Sequence, residues 1–404
     1  MSVSERRVGL WLVGAYGGVG GTTALGLAAL ARGLHTPVGL VTALPEFAHV
    51  DFDAPTRFVV GGHDIRQSSF AAAVRELHAA SNVIDGSTLQ VCKEQLDEWT
   101  ANVLPGVLFR PNGAITALAD RGHAVRAETP VDAIELVQQE LKAFAAAHQL
   151  DQVVVVNAAS TEPPFDPTDD HRTLAGLQAA LKRNTVSLPT SSLYAYAAIE
   201  AGFAYVNLTP SRGASLPALE ELAKLRGVPI AGQDLKTGET LLKSVLAPMF
   251  ARRNLRVLSW VGHNILGNRD GQVLADPANK ASKVRTKDAL LAEVLGYKPQ
   301  SLVSIEYVES LGDWKTAWDH VHFEGFLGTK MTLQLTWQGC DSILAAPLVI
   351  DLARLALLAQ RRGDAGTLHA AACFFKSPAG VPDHDLGKQF AMLEEYLADP
   401  GPRS

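Results

Sequence analysis

The sequence predicts an α/β protein: a doubly wound, mostly parallel sheet joined to a smaller α+β unit. Three observations predict it. Short, wholly apolar runs such as VGLWLV (8–13) and VVVV (153–156) alternate with longer stretches of helical period. Strands buried on both faces of a parallel sheet read that way. The first run enters a glycine-rich turn and then a helix, the opening of a parallel βαβ unit. Past residue 300 strand-like runs follow one another without intervening helices, which indicates antiparallel pairing.

Taken in order, residues 8–13 form the first strand, and Gly14, Gly17, Gly18, Gly20 and Gly21 lead into the helical run ALGLAALARGL. Residues 38–42 (VGLVT) read as a second strand, and 58–60 as one that leads into Gly61-Gly62-His63-Asp64-Ile65. Helices are expected over 69–82, 92–102 and 129–148, then a central strand over 153–160 that Pro163 and Pro164 end. Helices 173–182 and 190–201, strand 204–208, helix 216–226 and strand 228–231 complete the alternating part. The second unit, from about Thr240 to Asp341, holds a helix over 241–252, a strand over 256–261 and a polar loop HNILGNRDG. A helix over 282–297 follows, then strand-like runs at 302–308, 317–324 and 330–337, the last two flanking a hairpin turn at 325–329. Residues 343–360 and 368–375 read as helices, and the tail from Asp399 as an unstructured end.

The chain has 404 residues, 47% hydrophobic and 19% charged, enough for two domains or one large elaborated one. A formal charge of -6 gives no electrostatic footprint for nucleic acid. Any phosphate must be caught locally, by backbone amides or a few lysines. Three widely spaced cysteines show neither metal spacing nor a disulfide framework. The first residues lack the layout of a signal peptide, and no unbroken apolar run reaches the roughly 18 residues of a membrane span. These readings predict a soluble, reduced, cytoplasmic protein without membrane or nucleic-acid partners.

Two stretches are candidates for chemistry. A strand, a glycine turn and a helix start make an anion site, because bare backbone approaches a pyrophosphate and the helix N-terminus supplies N–H groups and dipole. The competing reading is a tight turn. The spacing is GxxGGxGG rather than GxGxxG, and Asp64 lies farther on than the usual twenty or so residues. The stretch 232–287 carries two polar, glycine-bearing loops and ends on Lys283 and Lys287, four apart. On a helix both ammonium groups share one face, where they suit an anion or a lysine whose proton is easily lost. On a plain surface they would be solvated residues only.

The ordered set LVGAYGGVGGTT, FVVGGHDI, ASTE, GQDLKTGET, NILGNRDG, SKxxxK, GDWK, CDSILAAPLVIDL and FFKSPAG resembles the myo-inositol-1-phosphate synthase family over nearly the whole core. The resemblance implies a Rossmann-like doubly wound sheet (1–240) interrupted by an α+β catalytic and oligomerisation domain (241–341), with 342–404 returning to the Rossmann part. It implies tightly held NAD, D-glucose 6-phosphate as substrate, a possible monovalent or divalent cation, and a homotetramer. Matched position by position, Gly14, Gly17, Gly18, Val19, Gly20 and Gly21 would cradle the pyrophosphate. Asp64 would hold the adenosine ribose and Asp270 would lie near the nicotinamide, with Ile65, Ser160 and Thr161 also among the cofactor-binding residues. Lys283, Lys287, Lys315, Asp341, Lys376 and Asp234 match the active-site set. His63 stands where the family has tryptophan, and Gln233 where it has the first acid of a pair.

The implied reaction is oxidation at C5, enolisation, aldol closure of C6 on C1, and reduction. Lysines suit it, since they release protons when crowded by like charge and stabilise oxyanions when protonated. Lys283 and Lys315 are expected at the redox steps, Lys376 at enolisation and cyclisation, and Lys287 at phosphate or the C1 oxygen. Lys376 is expected among other ammonium groups. The alternatives are an NAD-dependent dehydrogenase of a sugar phosphate and a non-catalytic nucleotide-sensing relative.

Overall fold

The computed structural model describes residues 6–274 and 290–399. Its strands are β1 (Val8–Val13), β2 (Phe58–Asp64), β3 (Val103–Pro105), β4 (Val107–Leu108), β5 (Val125–Arg126), β6 (Gln152–Asn157), β7 (Ala204–Asn207), β8 (Pro229–Gly232), β9 (Arg256–Leu266), β10 (Gln300–Tyr307), β11 (Trp314–Glu324), β12 (Lys330–Cys340) and β13 (Gly366–Thr367). Seven of them form one sheet in the order β13-β8-β7-β6-β1-β2-β3, every pair parallel. The strand order runs outward in both directions from β1, so the crevice at the C-terminal ends of β1 and β6 is the place for a ligand.

The central strands are as apolar as they must be. Val153, Val154, Val155 and Val156 are wholly buried, and each contributes about 1.5–3 kcal/mol relative to exposure. The helix Asp341–Arg362 closes one face. It packs on the helix Gly18–Ala31 and crosses β6, β7 and β8. Among the described residues it is the one helix long and apolar enough to cross a membrane, yet 78% of its apolar window is buried inside the fold. Its inner polar groups clamp the chain before β2. Asp351 accepts from Val41 N, Thr42 N and Thr42 Oγ1 at 2.8, 2.9 and 2.6 Å, and Arg354 Nη1 donates to Thr42 Oγ1 at 2.9 Å.

That clamp corrects the expected strand at 38–42. The stretch is a turn ending in the short 3-10 helix Val41–Ala43, because its backbone donors are taken by Asp351 and β2 already occupies the edge of β1. Val38 is 88% exposed. A second correction concerns the smaller sheet, ordered β10-β9-β11-β12. It is mixed: β9 pairs antiparallel with β11, and β11 with β12, but β10 lies parallel to β9. A third is that HNILGNRDG is only half loop. His263 to Leu266 continue β9, and Arg269–Leu274 is a short helix. A fourth is the stretch 368–375, which folds as the 3-10 helix His369–Phe374. The helix expected over 282–297 is described from 290 onward, and it ends at 295. The last residues, 400–404, also lie outside the described chain.

Candidate active site

The glycine turn is built to be bare. Gly14 sits at φ +86°, in the left-handed region, with Ala158 O only 3.0 Å from where a Cβ would be. A Cβ on Gly20 would run into Ala15 O, and one on Gly18 into Ser342 Oγ. Gly17 caps the helix Gly18–Ala31 without any side-chain hydrogen bond. The first N–H groups of that helix therefore open toward the crevice, as an anion site requires.

Asp64 ends β2, the strand next to β1. The 26 residues separating the helix Gly18–Ala31 from β2 run from 32 to 57 and hold only 3-10 turns. They explain why an acid in the usual structural place stands far away in sequence. Its Oδ2 accepts from Tyr16 N at 2.7 Å and its Oδ1 from Arg66 N at 2.8 Å. Burial nevertheless pushes its carboxyl up, with those two hydrogen bonds opposing the push. His63 turns its ring toward Trp11, Tyr194 and Glu140, whose Oε2 lies 2.8 Å from Nε2. Glu140 thus supplies a polar partner for a residue that departs from the family pattern.

A cavity of about 620 Å³ joins this cradle to the lysines. Gly14, Gly17, Gly18, Val19, Asp64 and Ile65 line one end. Ser160, Thr161 and Asp270 line the middle, where Thr161 Oγ1 donates to Asp270 Oδ1 at 3.3 Å and links the ends of β6 and β9. At the far end stand Asp234, Lys315, Asp341 and Lys376. Lys315 Nζ lies 3.8 Å from Asp341 Oδ2. Lys376 Nζ donates to Asp234 Oδ1 at 2.7 Å. The expected company of ammonium groups around Lys376 is therefore joined by a carboxylate in direct contact. Gly20 and Gly21 lie behind the cradle, buried, Gly21 packing its bare face toward Ala73. Lys283 and Lys287 lie outside the described residues.

Sequence reasoning missed two groups. Asp313, at the start of GDWK, is buried and accepts from Ser342 N at 2.6 Å, Cys340 Sγ at 2.9 Å and Asn268 Nδ2 at 3.2 Å. Burial raises its carboxyl and neighbouring Asp341 adds to the rise. It fixes the start of the helix Asp341–Arg362 against the NRDG turn. Lys236 was passed over as part of a loop, yet it is 2% exposed. The signal for Asp313 was available in its position two residues before Lys315. Nothing local distinguishes Lys236. Among the described residues no group of three His, Cys, Asp or Glu is arranged to hold a metal ion.

A parallel sheet that opens on a bare glycine turn, with an acid closing its second strand and a lysine–carboxylate chamber beyond, defines a Rossmann-type dinucleotide-binding enzyme. The profile of the myo-inositol-1-phosphate synthase family, an NAD-binding family, matches residues 8–398. Inositol-3-phosphate synthase 1 of Bacteroides thetaiotaomicron is 34% identical over 417 aligned positions, covering 97% of this chain and 95% of that protein. The crystal structure of inositol-3-phosphate synthase from Caenorhabditis elegans shares the fold, with a TM-score of 0.87 at 23% identity over 98% of this chain and 86% of that one. A myo-inositol-1-phosphate synthase-related protein from Thermotoga maritima superposes with a TM-score of 0.79 at 25% identity, covering 99% of this chain and all of that one. The chain belongs to the myo-inositol-1-phosphate synthase family.

Proposed function

We propose that this enzyme converts D-glucose 6-phosphate to 1L-myo-inositol 1-phosphate (1D-myo-inositol 3-phosphate), retaining NAD through the turnover. The observation that carries the reading is the single cavity in which the glycine cradle, Asp64, Asp270, Lys315, Asp341, Asp234 and Lys376 are all lining residues. The names of its relatives support the substrate and product.

The residues present fit NAD. Side chains at Gly14, Gly18 or Gly20 would strike protein atoms, and Gly17 presents bare backbone to the cavity. Gly14, Gly17, Gly18 and Val19 would hold the pyrophosphate, with Gly20 and Gly21 packed behind them. Asp64 retains acceptor capacity on both oxygens for ribose hydroxyls, since each accepts one backbone N–H, from Tyr16 and from Arg66, and a carboxylate oxygen can accept more than one. Ile65 would flank the ribose, and Ser160, Thr161 and Asp270 the nicotinamide end. When bound, NAD supplies the hydride acceptor for oxidation at C5 and the donor for the final reduction.

The chain's own side chains handle protons and charge. Lys315, steadied by Asp341, takes the C5 hydroxyl proton and later returns it, with Lys283 assigned beside it by resemblance. Lys376 removes the C6 proton made acidic by the C5 ketone. The pair Lys376–Asp234 then has a proton to give to the alkoxide that forms at C1 when C6 attacks the aldehyde. Lys287 is assigned to phosphate or the C1 oxygen. The reading requires a closed site during turnover, to keep water from the reduced cofactor.

We assign 1–240 and 342–404 to the nucleotide-binding part and 241–341 to catalysis and oligomerisation. The pairing of β13 with β8 supports the return of the chain. A cytoplasmic homotetramer is supported by three free, buried cysteines and by Leu302 and Trp318 exposed on the outer face of the smaller sheet. A cation requirement belongs to the same reading and is checked by activity after chelation and in sodium against potassium. The central test supplies glucose 6-phosphate with catalytic NAD and measures periodate-labile phosphate. A stoichiometric rise in NADH without that product would make the protein a sugar-phosphate dehydrogenase instead.

A further inference from the structure

Behind the chamber, residues 234–236 and 374–376 run antiparallel through an isolated bridge between Leu235 and Phe375. Lys376 N donates to Asp234 O at 2.6 Å and Lys236 N to Phe374 O at 2.8 Å. Alternation along the chain puts Lys236 on the same side as Asp234. Its side chain is fully enclosed. Nζ donates to Oε1 of Gln389 at 2.7 Å, and Gln389 is itself wholly buried on the helix Leu386–Ala398. A buried ammonium normally faces a carboxylate. Here the partner is a neutral amide.

We propose that Lys236 is a positioning residue for Lys376, acting through the antiparallel bridge and through its charge without touching substrate. The proposal rests on the reading of Lys376 as the base at C6. The titratable groups that face Lys236 are Lys376 and Cys373 from the 369–376 segment and His384 from the loop before the last helix. Burial pushes the Cys373 thiol up to about 12, so it brings no negative charge at neutral pH. Burial pushes the His384 imidazole down, beside Glu293 at 2.9 Å, so it adds little charge at neutral pH, and Lys376, itself held at 2.7 Å by the Asp234 carboxylate, supplies the facing positive charge. Burial first, and then Lys376, bring the Lys236 amine down to about 8, with Cys373 opposing. Below that pH Lys236 is an ammonium facing a second ammonium. The repulsion makes Lys376 release its proton more readily. Above it the repulsion fades. The two lysines therefore titrate as a coupled pair.

Two variants test this by different routes. Lys236→Met removes the charge and keeps the length. Gln389→Glu leaves Lys236 in place and neutralises it with a carboxylate, at the loss of one donor bond from Nε2 to Asp383 O at 2.6 Å. The measurement is the pH profile of kcat/KM for inositol phosphate formation, whose acid limb reports the base of the free enzyme. Both variants are expected to move that limb to higher pH by about half a unit or more, less than the one to three units of a charge in direct contact. A limb that stays in place in a folded variant of either kind, whatever happens to the maximal rate, overturns the proposal. If neither variant folds, Lys236 is a structural residue and the proposal falls as well. Failure of the underlying reading looks different: Lys376→Ala would then turn over normally, whereas an inactive Lys376→Ala with unmoved limbs removes only the role of Lys236.

Discussion

Lys376 and Asp234 come from segments far apart in the chain and meet at 2.7 Å in a buried corner of the cavity. Lys376→Ala should lower inositol phosphate formation by roughly two to four orders of magnitude, the ordinary loss for a general base. NAD binding by calorimetry should persist. Lys376→Arg should do little better, because guanidinium keeps its proton. Near-normal turnover in both would take Lys376 out of the reaction. The glycine cradle gives a second contrast. A Cβ on Gly17 meets nothing closer than Gly14 O at 3.2 Å, while one on Gly20 strikes backbone. Gly17→Val should fold with a normal melting curve and lose NAD affinity at least tenfold, whereas Gly20→Val should lose stability first. Equal NAD affinity in a folded Gly17→Val would sink the cradle assignment. At this scale much was legible. The motifs pointed to Asp64, Lys315, Asp341 and Lys376 by type and context. Lys236 and Asp313 were not, since what singles them out is enclosure by segments distant in sequence.

The helix Asp341–Arg362 begins at the chamber and ends on the far side of the main sheet, with its polar side latched to Thr42. Burial pushes Asp351 up to about 6 from an ordinary 3.8, against three hydrogen bonds from 41–42 and the charge of Arg354. A carboxyl raised on folding contributes stability that is present below about pH 4 and lost as pH rises through about 6. One unit is about 1.4 kcal/mol. Asp351→Asn should therefore gain on the wild type by about 1–2 kcal/mol between pH 4.5 and 7 in chemical denaturation. A difference that does not vary with pH would show that Asp351 is not titrating there. Element by element, the alternating part was readable because burial on both faces leaves a simple apolar signature. Residues 38–42 carry the same signature, but hydrogen bonds from a helix some three hundred positions later decide their fate. The parallel β9–β10 pair was likewise invisible, since order along the chain does not show direction in a sheet.

At the scale of the whole molecule, the smaller sheet covers one face with helix Glu239–Arg252 and leaves Leu302, Trp318 and Met331 exposed. If that sheet carries the tetramer contacts, Trp318→Asp should shift the mass in light scattering toward dimer or monomer while the Lys376–Asp234 corner stays intact. An unchanged tetramer would move the interface elsewhere. The return of β13 to the edge of β8 has a consequence for how the protein comes into being. A nascent chain that has emerged only as far as Cys340 holds the glycine turn and both acids, Asp64 and Asp234. It lacks the helix that roofs the first helix, the strand that completes the sheet, and Lys376 itself. Nucleotide could be offered to such an intermediate, but the Lys376–Asp234 corner and the Asp341 partner of Lys315 would be missing. Synthesis of the last sixty or so residues is thus the step that both closes the main sheet and completes the lining of the cavity, so fold and site are finished together.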